Sequence, residues 1–418
     1  MSTPSTWTRT RVDRVATVNA RIGWKALTAG EYQPDGYAFL ATPNIKSESI
    51  DFENVNYITE YRYEESPELK LKLDDVLLAK DGNTLGITNV VRELPTPATV
   101  NGSIAVLRAF GIEPRFLRYS LASSSTQSVI DAIKGGMGVP HLFQWDIKRL
   151  PLVLPLLDEQ CRIADFLDTE TAQFDELVAA RQRMRDLLQL KRERLVEQAL
   201  GLDSSPPMFP LKYAVQSVTV GIVITPANWY VDDGGVPALR GLNVQPGRID
   251  TSDMAQISHV GHRENMKSRL SSGDVVVVRT GQAGAAAVVP EELDGSNCID
   301  LLIIRPGGLT SSSFLVHYLN SFYAQDKISE HSVGSIQSHF NVGSMKKLDF
   351  PVVERAEQER RASVLDEAAR DLDLLDLQLE TQLSLLAERR QALITAAVSG
   401  QIDVTTARGL ASAGGTVV

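Results

Sequence analysis

The chain has 418 residues, 43% of them hydrophobic and 22% charged, with a formal net charge of −10. That length leaves room for two to four domains with full cores. No apolar run is long enough to cross a bilayer, which argues against a membrane protein, and the acidic balance argues against an autonomous DNA binder.

The N-terminus, MSTPSTWTRTRVDR, has no apolar core segment of the signal-peptide kind. With only Cys161 and Cys298, there is neither a disulfide framework nor a zinc pattern, and the expected location is the cytoplasm. Further on, Asn44-Ile45, Ile50-Asp51 and Tyr57-Ile58-Thr59 return later as Asn243-Val244, Ile249-Asp250 and Gln256-Ile257-Ser258. LKLDDVLLAKDGNTLG (71–86) returns as LSSGDVVVVRTGQAG (270–284). In each, an aspartate (Asp75, Asp274) precedes a β run that ends in a cation (Lys80, Arg279) and a glycine turn (Gly82, Gly281). SIAVLR and DLLIIR follow, closed by Arg108 and Arg305, which read as structural ion-pair partners. Phe116-Leu117 with Leu121 and Phe314-Leu315 with Leu319 have helical spacing. The loop from Gly136 to Leu142 parallels Gly334 to Phe340, setting His141 opposite His339.

Strand-like LPLVLP and KLDFP then feed two long helices that begin with acidic turns, favourable to the helix dipole. The first carries Leu167, Phe174, Arg181, Leu188 and Leu195 at heptad spacing; the second carries Leu365, Leu372, Leu379, Leu386 and Leu393. A heptad seam asks for a partner helix, so the two seams are expected to cover each other, antiparallel, with the heads at opposite ends. Residues 158–200 hold 7 Lys/Arg against 10 Asp/Glu and residues 354–400 hold 6 against 10, so most of the negative charge lies on these helices. Leu374, Leu377, Leu383, Leu385, Val178 and Leu187 fall off the seams, and a partner is expected to cover some of them. The fold class is therefore α+β: a tandem duplication of a globular α/β head plus a long helix, the two helices forming an antiparallel coiled coil. The expected segments are a first head (1–157), a helix (158–201), a Pro/Ser linker (202–209), a second head (210–353), a helix (354–400) and a disordered tail (401–418).

DEQCRIADFLDTETAQFDELV…LLQLKRERLVEQALG and AEQERRASVLDEAARDLDLLD…LLAERRQALITAAVSGQID, with the order of the head motifs, resemble Type I restriction–modification specificity subunits over residues 1–403. The resemblance implies two target recognition domains, each reading half of a bipartite asymmetric site in double-stranded DNA. It also implies helices that set the gap and dock two methyltransferase subunits, and restriction/translocase subunits in the full complex. S-adenosylmethionine is expected in the methyltransferase partners and no cofactor or catalysis in this chain.

Base readout needs donors and acceptors on loops. The candidates are Asn44 and Lys46; Lys80, Asn83 and Thr84; and His141 and Gln144 in the first head. In the second they are Arg240 and Asn243; Arg279, Thr280 and Gln282; and Gln337, Ser338, His339 and Asn341. Competing signatures are weak. Pro34-Asp35 with Glu68-Leu69-Lys70 imitates a nuclease spacing but has no counterpart in the second repeat. There is no phosphate-binding Walker loop, and no Asn/Asp-Pro-Pro-aromatic tetrapeptide of amino-methyltransferases. His259 and His262 lack the helix setting and the intervening glutamate of a zinc site. A coiled-coil adaptor with two protein-binding heads is the alternative class.

Overall fold

The computed structural model describes residues 4, 6–20, 27–135, 138–224, 226–280, 283–330 and 340–405. These fall into two compact units, residues 1–182 with 380–418 and residues 183–379. Each unit thus contains one head and half of each long helix, so helix and head are not separate bodies as the sequence segments were drawn.

In the first unit an antiparallel sheet runs in the order Ala16–Asn19, Ile104–Ala109, Val76–Ala79, Thr88–Val90. All four residues of Val76–Ala79 are buried, because the two faces of the sheet are both covered. Alternation of side chains sends Val76 and Leu78, with Ala105 and Leu107, into a core shared with the helices. Leu77 and Ala79 join Ile104 and Val106 in a second core under a smaller sheet. That sheet holds Tyr37–Leu40 between antiparallel Asn56–Ile58 and parallel Ala98–Val100. The segment before the long helix, Pro151–Leu154, pairs with Thr8–Arg11.

The second unit repeats this plan. Its sheet order is Ser217–Val220, Leu301–Arg305, Val275–Val278, Ala286–Val288. Val236–Leu239 again pairs with one antiparallel and one parallel neighbour. Met208–Pro210 pairs with Asp349–Pro351, so part of the expected 202–209 linker is a strand. Apolar Phe209 packs on the core there, which explains why Pro207 and Pro210 bound a strand and not a free tether.

The ion pairs expected from the closing arginines form in both units. Asp75 accepts from Arg108 Nε and Nη2 at 2.7 Å each. Asp274 lies 3.6 Å from Arg305 Nε, and Arg305 spends a donor on the Arg269 carbonyl. One glutamine then fastens each head to its helix. The Gln160 side chain accepts from Glu113 N and donates to the Pro155 carbonyl; Gln358 accepts from Ser311 N and donates to the Leu309 and Val353 carbonyls. Both are almost fully buried, so the amides close backbone valences that water cannot reach.

The long helices span Leu157–Leu200 and Arg355–Val398, 44 residues each. Within the first unit, Ile163, Ala164 and Leu167 share a core with Ile394, Ala397 and Val398, while Asp175 meets Arg390. Rising numbers on one helix meet falling numbers on the other, so the pairing is antiparallel. The second unit shows the same sense: Arg185 pairs with Asp376, Arg192 with Asp373, and Arg361 donates to the Leu200 carbonyl. Leu167, Phe174, Leu365, Leu372 and Leu379 are buried, and Leu188, Leu195, Leu386 and Leu393 half-buried. Of the off-seam residues, Leu187, Leu374, Leu377 and Leu385 are exposed, whereas Val178 and Leu383 are half-buried. The tail is shorter than expected: Ile402 and Val404 pack on the first core, because their side chains still find apolar surface, and residues 406–418 lie outside the described set.

Candidate nucleic-acid interface

Two loops distant in sequence are drawn together in the first unit. Gly82 N donates to the Pro140 carbonyl and Leu142 N to the Lys80 carbonyl, both at 2.9 Å. The same crossing occurs in the second unit, where Phe340 N donates to the Arg279 carbonyl at 3.2 Å. A glycine and a glutamine support the turn from behind. Gly86 and Gly284 have φ of +91° and +99°, and a Cβ on either would run into the side chain of Gln127 or Gln325. Gln127 donates to the carbonyls of Gly86 and Leu121. Gly86→Ala is therefore expected to cost the first unit about 1–3 kcal/mol, read as a lowered urea midpoint.

The crossing does not present every candidate. Asn44 and Asn243 are buried in equivalent turns: each accepts from the backbone three residues back and donates to main-chain carbonyls, Asn54 for one, Asp250 and Asp253 for the other. Their amides are consumed as caps, which removes both as base readers. Lys80 is also corrected, since the residue is only 6% exposed and its ammonium is bonded to Asp81 at 3.1 Å. Asp81 also holds His141 Nδ1. In the second unit Arg279 and Thr280 both turn to Asp300, at 3.1 Å and 3.4 Å. Arg240 pairs with Asp253 at 3.2 Å.

Asn83 stays exposed beside half-buried Thr84, whose hydroxyl donates to the Asp81 carbonyl. Gln144 is half-buried and donates to the Val18 carbonyl. Asn341 is exposed and caps the helix Val342–Lys347 by accepting from Ser344 N at 3.0 Å. Lys46, also exposed, lines a polar cavity of about 760 Å³ with Glu48, Arg118, Asp175 and Arg390. Gln282, Gln337, Ser338 and His339 lie outside the described residues. His259 and His262, expected outside a helix, sit on a short one, His259–Glu264, with His262 hydrogen-bonded to Asn297.

The sequence sets Trp145 against Gly343 of the second repeat, a difference consistent with distinct half-sites, but neither Phe143 nor Trp145 is among the candidate contacts. They are 52% and 57% exposed immediately after the crossing. Their signal was available: two aromatics stand where the second repeat has Asn341 and Gly343.

Residues 4–183 match the sequence profile of the Type I restriction modification DNA specificity domain. This unit is thus similar in sequence to Type I restriction modification DNA specificity domains. Among similar proteins, the specificity subunit of the StySPI Type I restriction enzyme from Salmonella potsdam is 30% identical over 182 residues. That stretch is 41% of this chain and 38% of the relative's length. The fold is shared over far more of the chain. A chain solved in work on complex assembly and conformational transition of the type I R-M system superposes with a TM-score of 0.74 at 17% identity, covering 96% of this chain and 100% of that one. The HsdS subunit from Thermoanaerobacter tengcongensis covers 96% and 99% with a TM-score of 0.51 at 16% identity. At such identities the likeness concerns the fold alone.

Proposed function

We propose that the chain is the DNA-specificity subunit of a Type I restriction–modification complex, a non-catalytic reader of a bipartite, asymmetric site. The carrying observation is that two units of one topology cross their loops in the same way and yet differ in the side chains there: Lys80 and Asp81 against Arg279 and Thr280, Phe143 and Trp145 against Asn341 and Gly343. A shared scaffold with divergent loop chemistry suits two readers of different sequences. Phosphate contacts fix register and base contacts select. The family match of the first unit and the whole-chain likeness of fold support the same reading.

In this reading two methyltransferase subunits dock on the long helices, where Leu187, Leu374, Leu377 and Leu385 are exposed. They bring S-adenosylmethionine, and restriction/translocase subunits join them to cut. The net charge of −10 gives the partners a further task, since much of the phosphate-neutralising charge must come from them. Among the described residues no helix is long and apolar enough to cross a membrane, which is compatible with action in the cytoplasm.

Methylation mapping in cells co-expressing this chain and its methyltransferase subunits should reveal one split, adenine-containing motif. Replacing residues 210–353 by the corresponding head of another family member should alter one half of the motif only. Alteration of both halves would contradict independent readers, and absence of any such motif would remove the proposed function.

A further inference from the structure

Phe143 occupies the position before the helix Gln144–Arg149 where a side chain ordinarily caps. Serine, threonine, asparagine or aspartate is favoured there because a side-chain oxygen can accept from the exposed helix N–H groups. The second unit obeys that rule with Asn341. The first unit instead places a phenyl ring there and recovers part of the loss through Asp146, which accepts from Phe143 N at 3.0 Å. A second large ring, Trp145, then stands exposed where the second unit has glycine. A local folding rule is set aside, and apolar surface is left in water, at the one place where the two loops meet. Such departures mark function more often than packing.

The rings are held in order. Asp81 is hydrogen-bonded to His141, whose ring meets Phe143 edge-on with centroids 4.6 Å apart. Phe143 and Trp145 lie within 12° of parallel, centroids 6.4 Å apart. The guanidinium of Arg149 sits over the Trp145 ring at 5.3 Å. Around them Lys148, Arg149 and Arg14 are exposed, and the helix packs on the turn Val12–Arg14. The nearby carboxylates are engaged: Asp146 on the Phe143 backbone, Asp81 on Lys80 and His141, Asp13 on Arg11. Flat apolar faces bordered by cations complement a heterocyclic base flanked by phosphates.

We infer that Phe143 and Trp145 form a stacking platform that engages a base of the half-site read by the first unit, partly unstacking it from its neighbour. The second unit has Asn341 and Gly343 at these two positions, shows no such platform among the described residues, and reads its half-site without it. The inference rests on the proposed DNA-reading function and gives it an asymmetry between the two halves.

The test uses the full chain assembled with its methyltransferase subunits and duplexes carrying the mapped site, with 2-aminopurine placed in turn at each position of either half. Apart from the target adenines, which the methyltransferase subunits themselves flip out in either half, binding should raise fluorescence at one or two positions of the first unit's half-site and at none in the other half. Phe143→Ala and Trp145→Ala should each abolish that rise and weaken binding about ten-fold, the loss expected for one stacked base. Trp145→Phe should retain both signals, whereas Trp145→Leu, apolar but not aromatic, should lose them. Circular dichroism melts of the variants should overlay the wild type, because both rings are exposed. Alanine variants with unchanged affinity and an unchanged fluorescence rise would overturn the platform while leaving the DNA-reading function intact. A wild-type complex that binds no DNA site-specifically would overturn both.

Discussion

Asp75→Ala lowers the stability of the first unit by about 3–5 kcal/mol, a fall in its melting midpoint on the order of 10 °C. The Asp75 carboxylate is buried and accepts from Lys72 N as well as from two nitrogens of Arg108. Truncation leaves a guanidinium only 30% exposed without its counter-charge and a backbone N–H without an acceptor. Calorimetry of the single variants and of Asp75→Ala/Arg108→Ala checks this: the double variant should recover part of the loss, because the stranded charge goes too. Asp274→Ala should cost less: both arginines also donate to a main-chain carbonyl, but Arg305 stands 3.6 Å from its aspartate where Arg108 stands 2.7 Å from its own. Burial pushes the Asp274 carboxyl up, against the Ser271 N–H and Arg305, which pull it down. The native state therefore holds this proton more tightly than the unfolded chain does. Its contribution declines as pH rises from the unfolded carboxylate value, about 4, through the raised native one. Equal costs at the two aspartates would show that the contact geometry does not govern the pair.

This pair also shows what a sequence can disclose. Asp75 and Arg108 stand at fixed places around two β runs, and the same placement recurs at Asp274 and Arg305, so repetition picks out the partners before any coordinate does. The seam leucines are legible for the same reason, as a heptad row needs a second row. Asn44 shows the limit. An asparagine leaving a strand can display its amide to a ligand or fold it back on the main chain, and the deciding partner is the Asn54 carbonyl, ten residues on. Lys80 was misread because its neighbour Asp81 captures it, an outcome fixed by a backbone crossing to Pro140 and His141 that the sequence does not state. The contrast of Trp145 with Gly343 is visible in the sequence, but neither Trp145 nor Phe143 joined the candidate contacts, because comparing repeats rewards what they share and these residues matter by being unshared.

Asp168→Ala should be the second large loss, about 3 kcal/mol, and it should fade in acid. Asp168 lies on the first long helix and gathers three head residues. Its carboxylate accepts from Arg92 at 2.6 Å and 3.0 Å, from Arg115 at 2.9 Å and from the Tyr119 hydroxyl at 2.7 Å. Burial pushes this carboxyl up, but the hydrogen bonds from Arg92 and Tyr119, with the Arg92 charge and the Arg115 contact, outweigh it and hold the group below its ordinary value. A depressed native value means that the stabilisation is complete above the unfolded carboxylate value, about 4, and is lost as pH falls through the native one. Urea unfolding of wild type and Asp168→Asn at a series of pH values isolates the term, because the other carboxylates titrate in both proteins and cancel. The difference between them should be constant from neutral pH to about 5 and should shrink below that. A difference independent of pH would assign the cost to lost packing around Tyr119, and the charge network would then not be what ties this helix to its head.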